Sequence, residues 1–214
     1  MSGKYGPQVD AKTYVSKKYI TPARWTSYSV VIKEILKMEP QTILEIGPGN
    51  KIVFKILSSM GFTVNTMDID ERIDPDYVCD ITSDNIKKME KSFDLVLAEE
   101  VLEHIRYEDA LSALKNLRHI TDKLIITLPH TNMGAAFWYI AWKIPMFKKS
   151  DYSTKVFFRR KKHVFNGQHY WEIGKRGYSL NKVLKDMTGS GWKVDSTYIN
   201  PDNTYHRVFM LSKV

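Results

Sequence analysis

The sequence lacks the features that mark secreted and membrane-spanning proteins. Its 214 residues include one cysteine, Cys79, which excludes a disulfide framework and a zinc site built from cysteines. The amino terminus has no apolar segment of the kind that forms a secretory signal. The most apolar stretch, residues 133–142, is too short to cross a bilayer. These absences predict a cytoplasmic domain.

Repeats and low-complexity tracts are also missing, and the composition is that of one globular domain. Hydrophobic residues make up 43% and charged residues 26% of the chain, which excludes the disordered and collagen-like classes. A chain of this length buries roughly 70% of its unfolded surface, so it needs no covalent staples. Residues 1–21 are polar and contain Gly3, Gly6 and Pro7, so we expect a flexible arm followed by a single domain over 22–214.

Positive charge is in excess and unevenly distributed. The formal net charge is +8. Residues 147–165 contain one acid, Asp151, and seven cations: Lys148, Lys149, Lys155, Arg159, Arg160, Lys161 and Lys162. An anionic partner is expected to bind there, either an acidic membrane surface or RNA. Binding to a membrane would make the domain a peripheral membrane protein.

Short apolar runs alternate with helical patterns between residues 42 and 128. Strands are predicted at 42–46, 63–67, 77–79, 94–98 and 124–128, and helices at 53–60, 83–89 and 108–117. A preceding helix is expected to begin at Ser27 or Ser29 and to end before Pro40. Alternation of this kind predicts an α/β fold with a doubly wound, mostly parallel sheet.

The last part of the chain has a different pattern. A helix is predicted at 180–187, and it is followed by two β-rich runs at 192–199 and 207–212. The turn cluster Asn200-Pro201-Asp202-Asn203 joins these runs, so they are expected to form an antiparallel hairpin that closes the sheet.

The first predicted strand leads into a turn with two glycines, Gly47-Pro48-Gly49. Glycine permits a sharp turn and lets a ligand approach the main chain. Asp68 follows Gly49 by nineteen residues, where an acid can accept hydrogen bonds from both hydroxyls of a ribose. Asp80 ends the next strand, where an adenine ring would lie. Lys51 replaces the third glycine of a dinucleotide fingerprint, which disfavours a closely held pyrophosphate.

Five ordered motifs are similar to those of class I S-adenosylmethionine-dependent methyltransferases. They are Glu45-Ile46-Gly47-Pro48-Gly49, Met67-Asp68-Ile69-Asp70, Cys79-Asp80-Ile81, Phe93-Asp94-Leu95-Val96-Leu97 and Glu100-Val101-Leu102-Glu103-His104. The resemblance covers residues 25–129. It implies a Rossmann-like, seven-stranded sheet with the C-terminal hairpin, S-adenosyl-L-methionine as cofactor, and methyl transfer as the reaction.

The resemblance also implies which residues bind the cofactor. The Gly47–Gly49 turn would hold the methionine part and the ribose, Asp68 the ribose hydroxyls and Asp80 the adenine amino group. Glu99 and Glu100 would lie beside the ammonium and sulfonium groups. The complete implied set is Glu45, Gly47, Pro48, Gly49, Asp68, Ile69, Asp80, Ile81, Glu99 and Glu100.

The last of the five motifs is open to three interpretations. If a helix begins after Ala98, Glu100, Glu103 and His104 share one face, where they could bind Mg²⁺ or Mn²⁺. The pattern resembles that of metal-assisted methyltransferases acting on RNA 3′ ends or quinone precursors. In the former group a later histidine completes the site, and His169 is similar to it. Alternatively His104 is a metal-free base or orients the substrate, or its role is purely structural.

The methyl acceptor is expected to be selected by whatever covers the sheet edge, because the activated cofactor requires no universal catalytic residue. The covering segments are the arm and an insert at 130–177. Within the insert, residues 133–147 are rich in aromatic side chains, and we expect a lid helix that buries these side chains over the pocket. The alternatives are that the segment attaches to a membrane or binds nucleic acid.

Three functions remain open at this point. The first is transfer to an oxygen or nitrogen of a small-molecule or lipid-linked acceptor. The second is transfer to RNA, with or without a metal. The third is a non-catalytic nucleoside-binding module, which the intact acids Glu45, Asp68 and Asp80 disfavour.

Overall fold

The computed structural model describes residues 4–89, 92–142, 150–165 and 167–214. Its strands are β1 Thr42–Ile46, β2 Thr63–Asp68, β3 Tyr77–Val78, β4 Leu95–Glu99, β5 Lys123–Pro129, β6 Ala135–Trp142, β7 Ser150–Phe157, β8 Trp192–Ile199 and β9 His206–Lys213. Seven of them form one sheet in the order β3-β2-β1-β4-β5-β9-β8, in which β9 is antiparallel to both neighbours and the other pairs are parallel. The predicted doubly wound sheet with its C-terminal hairpin is confirmed.

Helices cover both faces of this sheet. The α-helices are α1 Ala11–Tyr14, α2 Pro22–Met38, α3 Ile52–Ser59, α4 Tyr107–Leu117 and α5 Leu180–Gly189, and short 3-10 helices occupy Glu71–Ile73, Asp84–Lys88 and Leu102–His104. The α-helix predicted at 83–89 is therefore a 3-10 helix, since the chain turns extended at Met89 after little more than one turn. Among the described helices, none combines the length and apolarity needed to cross a membrane.

Apolar side chains fill both sides of the sheet because successive strand residues point to opposite faces. Leu44, Val96 and Ile126 belong to the larger buried cluster, together with residues of α4 and α5. Ile43 and Leu95 belong to a second cluster, with residues of α2 and α3. The central strands thus bury apolar side chains on both faces, as covered parallel strands do, and they fix the positions of the loops at their carboxyl ends.

Helix α2 begins earlier than predicted. Thr21 caps it by accepting a hydrogen bond from the N–H of Arg24 at 3.2 Å, and Pro22 occupies its first position. Starting points at Ser27 or Ser29 are wrong, since both lie inside the helix. The Thr-Pro pair is a recognised start signal, because proline has no N–H to leave unpaired and its φ suits the first turn. The expected end before Pro40 is confirmed.

The lid helix expected within 133–147 is wrong. Residues 135–142 form strand β6, which pairs antiparallel with β7 in a separate two-stranded sheet. Its four aromatic residues and Ile140 favour a strand once a partner strand is present, and that partner lies beyond the local window. Trp138 and Trp142 are exposed instead of buried over the pocket. Residues 143–149, which include Lys148 and Lys149, lie outside the described residues.

The arm makes specific contacts with the domain. Lys4 forms an ion pair with Asp109 at 2.7 Å, and the hydroxyl of Tyr5 accepts a hydrogen bond from the N–H of Arg106 at 3.0 Å. The side-chain amide of Gln8 donates to the carbonyl of His104 at 2.7 Å. Residues 4–21 therefore pack along the carboxyl edge of the sheet. The flexibility expected of the arm stays a prediction.

Trp192 packs the C-terminal hairpin against α4. It is fully buried, and its ring N–H donates to the carbonyl of Leu114 at 2.8 Å. That carbonyl lies in the last turn of α4, where helix carbonyls lack intrahelical partners. Trp192→Phe should lower the free energy of unfolding by about 2–4 kcal/mol, through the lost hydrogen bond and the space left by the smaller ring.

Urea unfolding followed by circular dichroism measures this loss. Trp25→Phe is the matched control, because Trp25 is half exposed on α2 and its replacement should stay within about 0.5 kcal/mol. Equal losses in the two variants would contradict the assigned packing.

Candidate functional site

A cavity of about 550 Å³ lies at the carboxyl ends of β1, β2 and β4, under the arm. All ten residues of the implied cofactor-binding set line it, and so do Glu103, His104 and His169. This location follows the general rule that open α/β sheets bind ligands outside the carboxyl ends of their strands. One cavity therefore brings together every predicted site residue.

The glycine turn shapes the floor of the cavity. Gly47 has a φ of 68°, and a Cβ at this position would lie 2.6 Å from a methyl group of Val101, so no other residue fits. Gly49 has a φ of 50° and lies below the ring of Tyr14 from the arm. Lys51 also has a left-handed backbone conformation, with a φ of 57°. It precedes α3, and its side chain makes no capping hydrogen bond to the helix. In the first turn of α3 the N–H of Ile52 donates to the side-chain oxygen of Asn50 at 3.1 Å, and the N–H of Phe54 donates to the carboxyl of Glu45.

The two strand-end acids differ in what already binds them. An oxygen of Asp68 accepts the N–H of Asp70 at 2.9 Å, and burial raises the pKa of this carboxyl against the effect of that bond. Asp80 accepts the N–H of Lys4 at 3.0 Å through one oxygen, and Thr82 binds the other through its N–H and hydroxyl. Asp68 therefore has more capacity left for a ligand.

Three glutamates line the wall of the cavity, with Glu45 buried and Glu99 and Glu100 partly buried. Burial raises the pKa of Glu45 to about 8, with a further increase from the charge of Glu99, and burial raises the pKa of Glu99 to about 8 as well. The pKa of Glu100 is also raised by burial and by the neighbouring carboxyls of Glu103 and Glu99. One oxygen of Glu45 and one of Glu100 accept no hydrogen bond from the described residues. A ligand with two positive groups, such as an ammonium and a sulfonium, suits this wall.

The expected helix face of Glu100, Glu103 and His104 is wrong. The backbone of Glu100 is left-handed, with a φ of 52°, and only Leu102–His104 form a 3-10 turn. The carboxyl of Glu100 stays near that of Glu103, whose charge raises its pKa, and it lies 3.4 Å from a ring nitrogen of His206. A strand that ends in a left-handed residue cannot continue directly into an α-helix.

Three of the four candidate metal ligands nevertheless converge. One oxygen of Glu103 lies 3.8 Å from Nε2 of His104 and 4.0 Å from Nε2 of His169, and all three ligand atoms lie within 4.8 Å of one another. Neither carboxylate oxygen of Glu103 has a hydrogen-bond partner among the described side chains and backbone groups. Carboxylate and imidazole ligands at these separations suit a divalent cation.

His169 is held by two residues that the site predictions did not include. Glu172 lies 3.4 Å from Nδ1 of His169 and accepts the hydroxyl of Tyr205 at 2.7 Å. Burial lowers the pKa of His169, but the hydrogen bond to Glu172 and the charges of Glu103 and Glu172 outweigh it, and the pKa is raised. Burial raises the pKa of Glu172, but the bonds from His169 and Tyr205 prevail and lower it to about 2. A carboxylate thus orients an imidazole toward the cavity.

His104 has a different environment. Its Nδ1 lies 2.9 Å from the side-chain oxygen of Gln8, and its ring meets that of His169 edge to face. Burial, with the nearby charge of His169, lowers the pKa of His104 to about 4, so the ring is neutral near pH 7. The predicted catalytic histidine is therefore anchored by the arm through Nδ1, and a carboxylate oxygen of Glu103 lies 3.8 Å from its Nε2.

Several cavity residues had no signal in the sequence. Tyr14, Tyr19 and Arg24 come from the arm and the start of α2, with the guanidinium of Arg24 stacked 4.0 Å from the ring centre of Tyr19. Tyr205 and His206 come from the turn between β8 and β9. For Glu172 the signal was the His-x-x-Glu spacing, since the segment His169-Tyr170-Trp171-Glu172 resembles the one that completes the site in the methyltransferases of RNA 3′ ends. The others reach the site through tertiary packing.

The profile of the family described as methyltransferase domain matches residues 24–162. A match over most of the chain shows that this protein belongs to the methyltransferase domain family. With the Rossmann-like sheet and the glycine turn, it is a class I S-adenosylmethionine-dependent methyltransferase. A search of curated proteins by sequence finds no match.

Solved structures of methyltransferases share the fold at low sequence identity. The glycopeptide N-methyltransferase MtfA in complex with S-adenosylhomocysteine is 11% identical, with 94% of each chain covered and a TM-score of 0.60. Magnesium protoporphyrin IX methyltransferase from Synechocystis is 13% identical, with 95% of this chain and 92% of that chain covered and a TM-score of 0.59. The 1,6-didemethyltoxoflavin-N1-methyltransferase of Burkholderia thailandensis is 11% identical, with 87% of this chain and 76% of that chain covered and a TM-score of 0.54.

Glu45 makes the stability of the free protein depend on pH. Its pKa is about 8 in the folded chain against 4.5 for the ordinary group, so the folded state favours the protonated form. The resulting stabilisation is complete below the unfolded pKa and is lost as the pH rises through about 8. Glu45→Gln, which cannot ionise, should match the wild type near pH 5 and exceed it at pH 8 by about 1 kcal/mol or more.

Denaturant unfolding at a series of pH values measures this difference. Glu71→Gln is the matched control, since Glu71 is exposed and its replacement should leave the pH dependence unchanged. A gain from Glu45→Gln that is the same at every pH would contradict the raised pKa.

Proposed function

We propose that this protein transfers the methyl group of S-adenosyl-L-methionine to an oxygen or nitrogen of a small-molecule or lipid-linked acceptor. The observation that carries the proposal is the continuity of the cavity. The glycine turn and Asp68 line one end, and His169 and Tyr205 line the other. A cofactor at the first end would present its methyl group to an acceptor at the second. Transfer to RNA, and a nucleoside-binding module without activity, remain the alternatives.

The cofactor fits the residues of its proposed end. Asp68 would accept the ribose hydroxyls, and the turn around Gly47 would let the methionine part approach the main chain. Glu45 and Glu100 have carboxylate oxygens without hydrogen bonds, which would face the positive groups. Tyr14 covers Gly49 and would close this end against water. When bound, the cofactor supplies an electrophilic methyl group, so the protein needs to align the acceptor and remove its proton.

We place the proton acceptor at His169. Glu172 fixes the ring through Nδ1, which leaves Nε2 toward the cavity and Glu103. An imidazole oriented by a buried carboxylate is the arrangement that general-base catalysis uses elsewhere. His104, which the sequence favoured, is held by Gln8 and would orient the acceptor. The neutral ring can accept a hydrogen bond from it.

Metal-assisted transfer is a second candidate, supported by the convergence of Glu103, His104 and His169. The three residues would bind a divalent cation such as Mg²⁺ or Mn²⁺, which lowers the pKa of a coordinated hydroxyl and replaces the base. Glu100 would not join this set, since it pairs with His206. Removal of metal by chelation separates this candidate from the base mechanism.

Cofactor binding tests the first half of the proposal. Titration calorimetry should give micromolar affinity for S-adenosylmethionine and S-adenosylhomocysteine. Asp68→Ala should weaken both by about 10- to 100-fold, since it removes charge-assisted hydrogen bonds to the ribose. Asp122→Ala is the control, because this acid is exposed and its ion pair with Lys213 lies on the surface. Equal affinities for Asp68→Ala and the wild type would refute the ribose assignment.

The acceptor is identified by transfer of a labelled methyl group. The protein is incubated with labelled cofactor and the lipid, small-molecule, RNA and protein fractions of a cell extract. Label in the lipid or small-molecule fraction is expected. Label in RNA would favour the alternative substrate, and no transfer into any fraction would favour the binding module.

Variants at the acceptor end then separate the mechanisms. His169→Gln should lower the rate by about 100-fold or more, and the exposed His119→Gln should not change it. Glu172→Gln should move the acid limb of the pH–rate profile to lower pH, because the carboxylate that raises the pKa of His169 is gone. Full activity in EDTA is expected. Loss of activity that Mg²⁺ or Mn²⁺ restores would assign the metal mechanism instead.

A further inference from the structure

The hairpin formed by β6 and β7 has two different faces. Residues on a strand alternate between faces, and directly opposed residues of an antiparallel pair share one. Trp138 is opposite Thr154 and Ile140 opposite Tyr152, so these four side chains lie on the same face. Tyr139 opposite Ser153, and Phe137 opposite Lys155, lie on the other face.

The second of these faces docks on the methyltransferase domain. The hydroxyl of Ser153 accepts the N–H of Ile199 at 3.1 Å. The ammonium of Lys155 donates to the carbonyls of His130 and Thr204. Phe157 stacks on the ring of His130, with centroids 5.5 Å apart and planes at 27°. We call this the inner face, and its contacts fix the direction of the hairpin.

The opposite face is apolar and has no such covering. We define the outer face as Trp138, Ile140, Trp142, Tyr152 and Val156. Each of these five side chains is between 45% and 60% exposed. The other described side chains of this face are Ala136 and Thr154, so it carries no charge. An exposed apolar patch built from one strand pair marks a surface for interaction.

Cations follow directly after the outer face along the chain. Phe158 is 79% exposed, and the next four residues, Arg159, Arg160, Lys161 and Lys162, are all exposed. We call these four the basic strip. Within the described residues, no ion pair joins any of them to a carboxylate. The partner of the outer face must therefore offer apolar groups and negative charge next to each other.

We propose that the outer face and the basic strip dock this protein on the surface of an anionic lipid bilayer. Tryptophan and tyrosine are enriched at the level of the lipid headgroups, where their rings meet both apolar and polar surroundings. Ile140 and Val156 enter the acyl boundary beside them. The four exposed cations that follow Phe158 in the chain would meet the anionic headgroups, and each such contact would add to the affinity.

Other occupants match the surface less well. A second copy of the chain also carries a net charge of +8, so the two copies would repel each other. Single-stranded RNA stacks its bases on aromatics interleaved with cations. Here Ile140 lies between Trp138 and Trp142 on the outer face of β6, and the cations lie together after the strand β7. An anionic bilayer satisfies both halves of the surface. The proposal is independent of the proposed acceptor, since docking needs no methyl transfer.

Sedimentation of the full chain with sucrose-loaded vesicles tests the proposal. Vesicles of phosphatidylcholine with phosphatidylglycerol should bind the protein, and vesicles of phosphatidylcholine alone should bind it at least about tenfold more weakly. The double variant Trp138→Ser and Tyr152→Ser should lose about tenfold or more in partitioning. Lys161→Gln with Lys162→Gln should lose a similar factor on anionic vesicles only, and the loss should shrink at high salt.

Matched controls use the same residue types elsewhere. Trp25→Ser replaces a half-exposed tryptophan on α2, and Lys33→Gln with Lys55→Gln removes two exposed charges. Both should bind vesicles like the wild type. Circular dichroism verifies that every variant is folded, and quenching of tryptophan fluorescence by brominated lipid reports on insertion directly. Quenching in the wild type that is reduced by Trp138→Phe, and reduced further when Trp142→Phe is added, supports the proposal.

Four results would overturn it. The first is no binding of the wild type to anionic vesicles, and the second is equal binding by the outer-face variant. The third is a dimer in sedimentation velocity that the same variant dissociates without any vesicle binding. The fourth is binding to a single-stranded RNA oligonucleotide that depends on Trp138 and Tyr152 while vesicles do not bind. Loss of cofactor binding would leave all four measurements unaffected.

Discussion

Burial of carboxylates at the end of the parallel strands is the constraint on which the site depends. Glu45 is the last residue but one of β1 and Glu99 ends β4, and burial raises the pKa of both. The neighbouring Glu100 has an oxygen without a hydrogen bond in the described structure. Keeping these groups out of water costs stability in the free protein. A ligand that brings positive charge recovers that cost, so affinity for a cation is built into the fold.

The walls of the cavity come from the two ends of the chain. Gln8 from the arm binds His104, and Asp80 accepts the N–H of Lys4. Tyr205 from the turn between β8 and β9 binds Glu172 and so helps to orient His169. The acceptor end is therefore assembled only when the arm, the insert and the C-terminal hairpin are all in place. Catalytic residues carried on such loops can change the substrate without any change in the sheet.

Local patterns in the sequence were sufficient for the sheet and insufficient for what covers it. The strands, the Gly47 turn and Asp68 follow from apolar runs bounded by turn residues, which are local signals. The strand at 135–142 was expected to be a helix because its partner β7 lies beyond residue 149. Glu100 was placed with Glu103 because nothing local indicates its left-handed backbone. Tyr205 reaches the site through sheet topology, which the residue spacing does not encode.

The hairpin and the acceptor end of the cavity share one structural element. Lys155 on the inner face donates to the carbonyl of Thr204, and Tyr205 follows in the chain and binds Glu172. Burial, with the charge of Arg207, lowers the pKa of Lys155 to about 7. Keeping this ammonium charged therefore costs free energy, which its hydrogen bonds to backbone carbonyls offset. The hairpin therefore contacts the turn that carries Tyr205, the residue that binds Glu172 beside His169. Docking on a bilayer and access of a lipid-linked acceptor would then act on the same turn, which gives the two proposals a common physical basis.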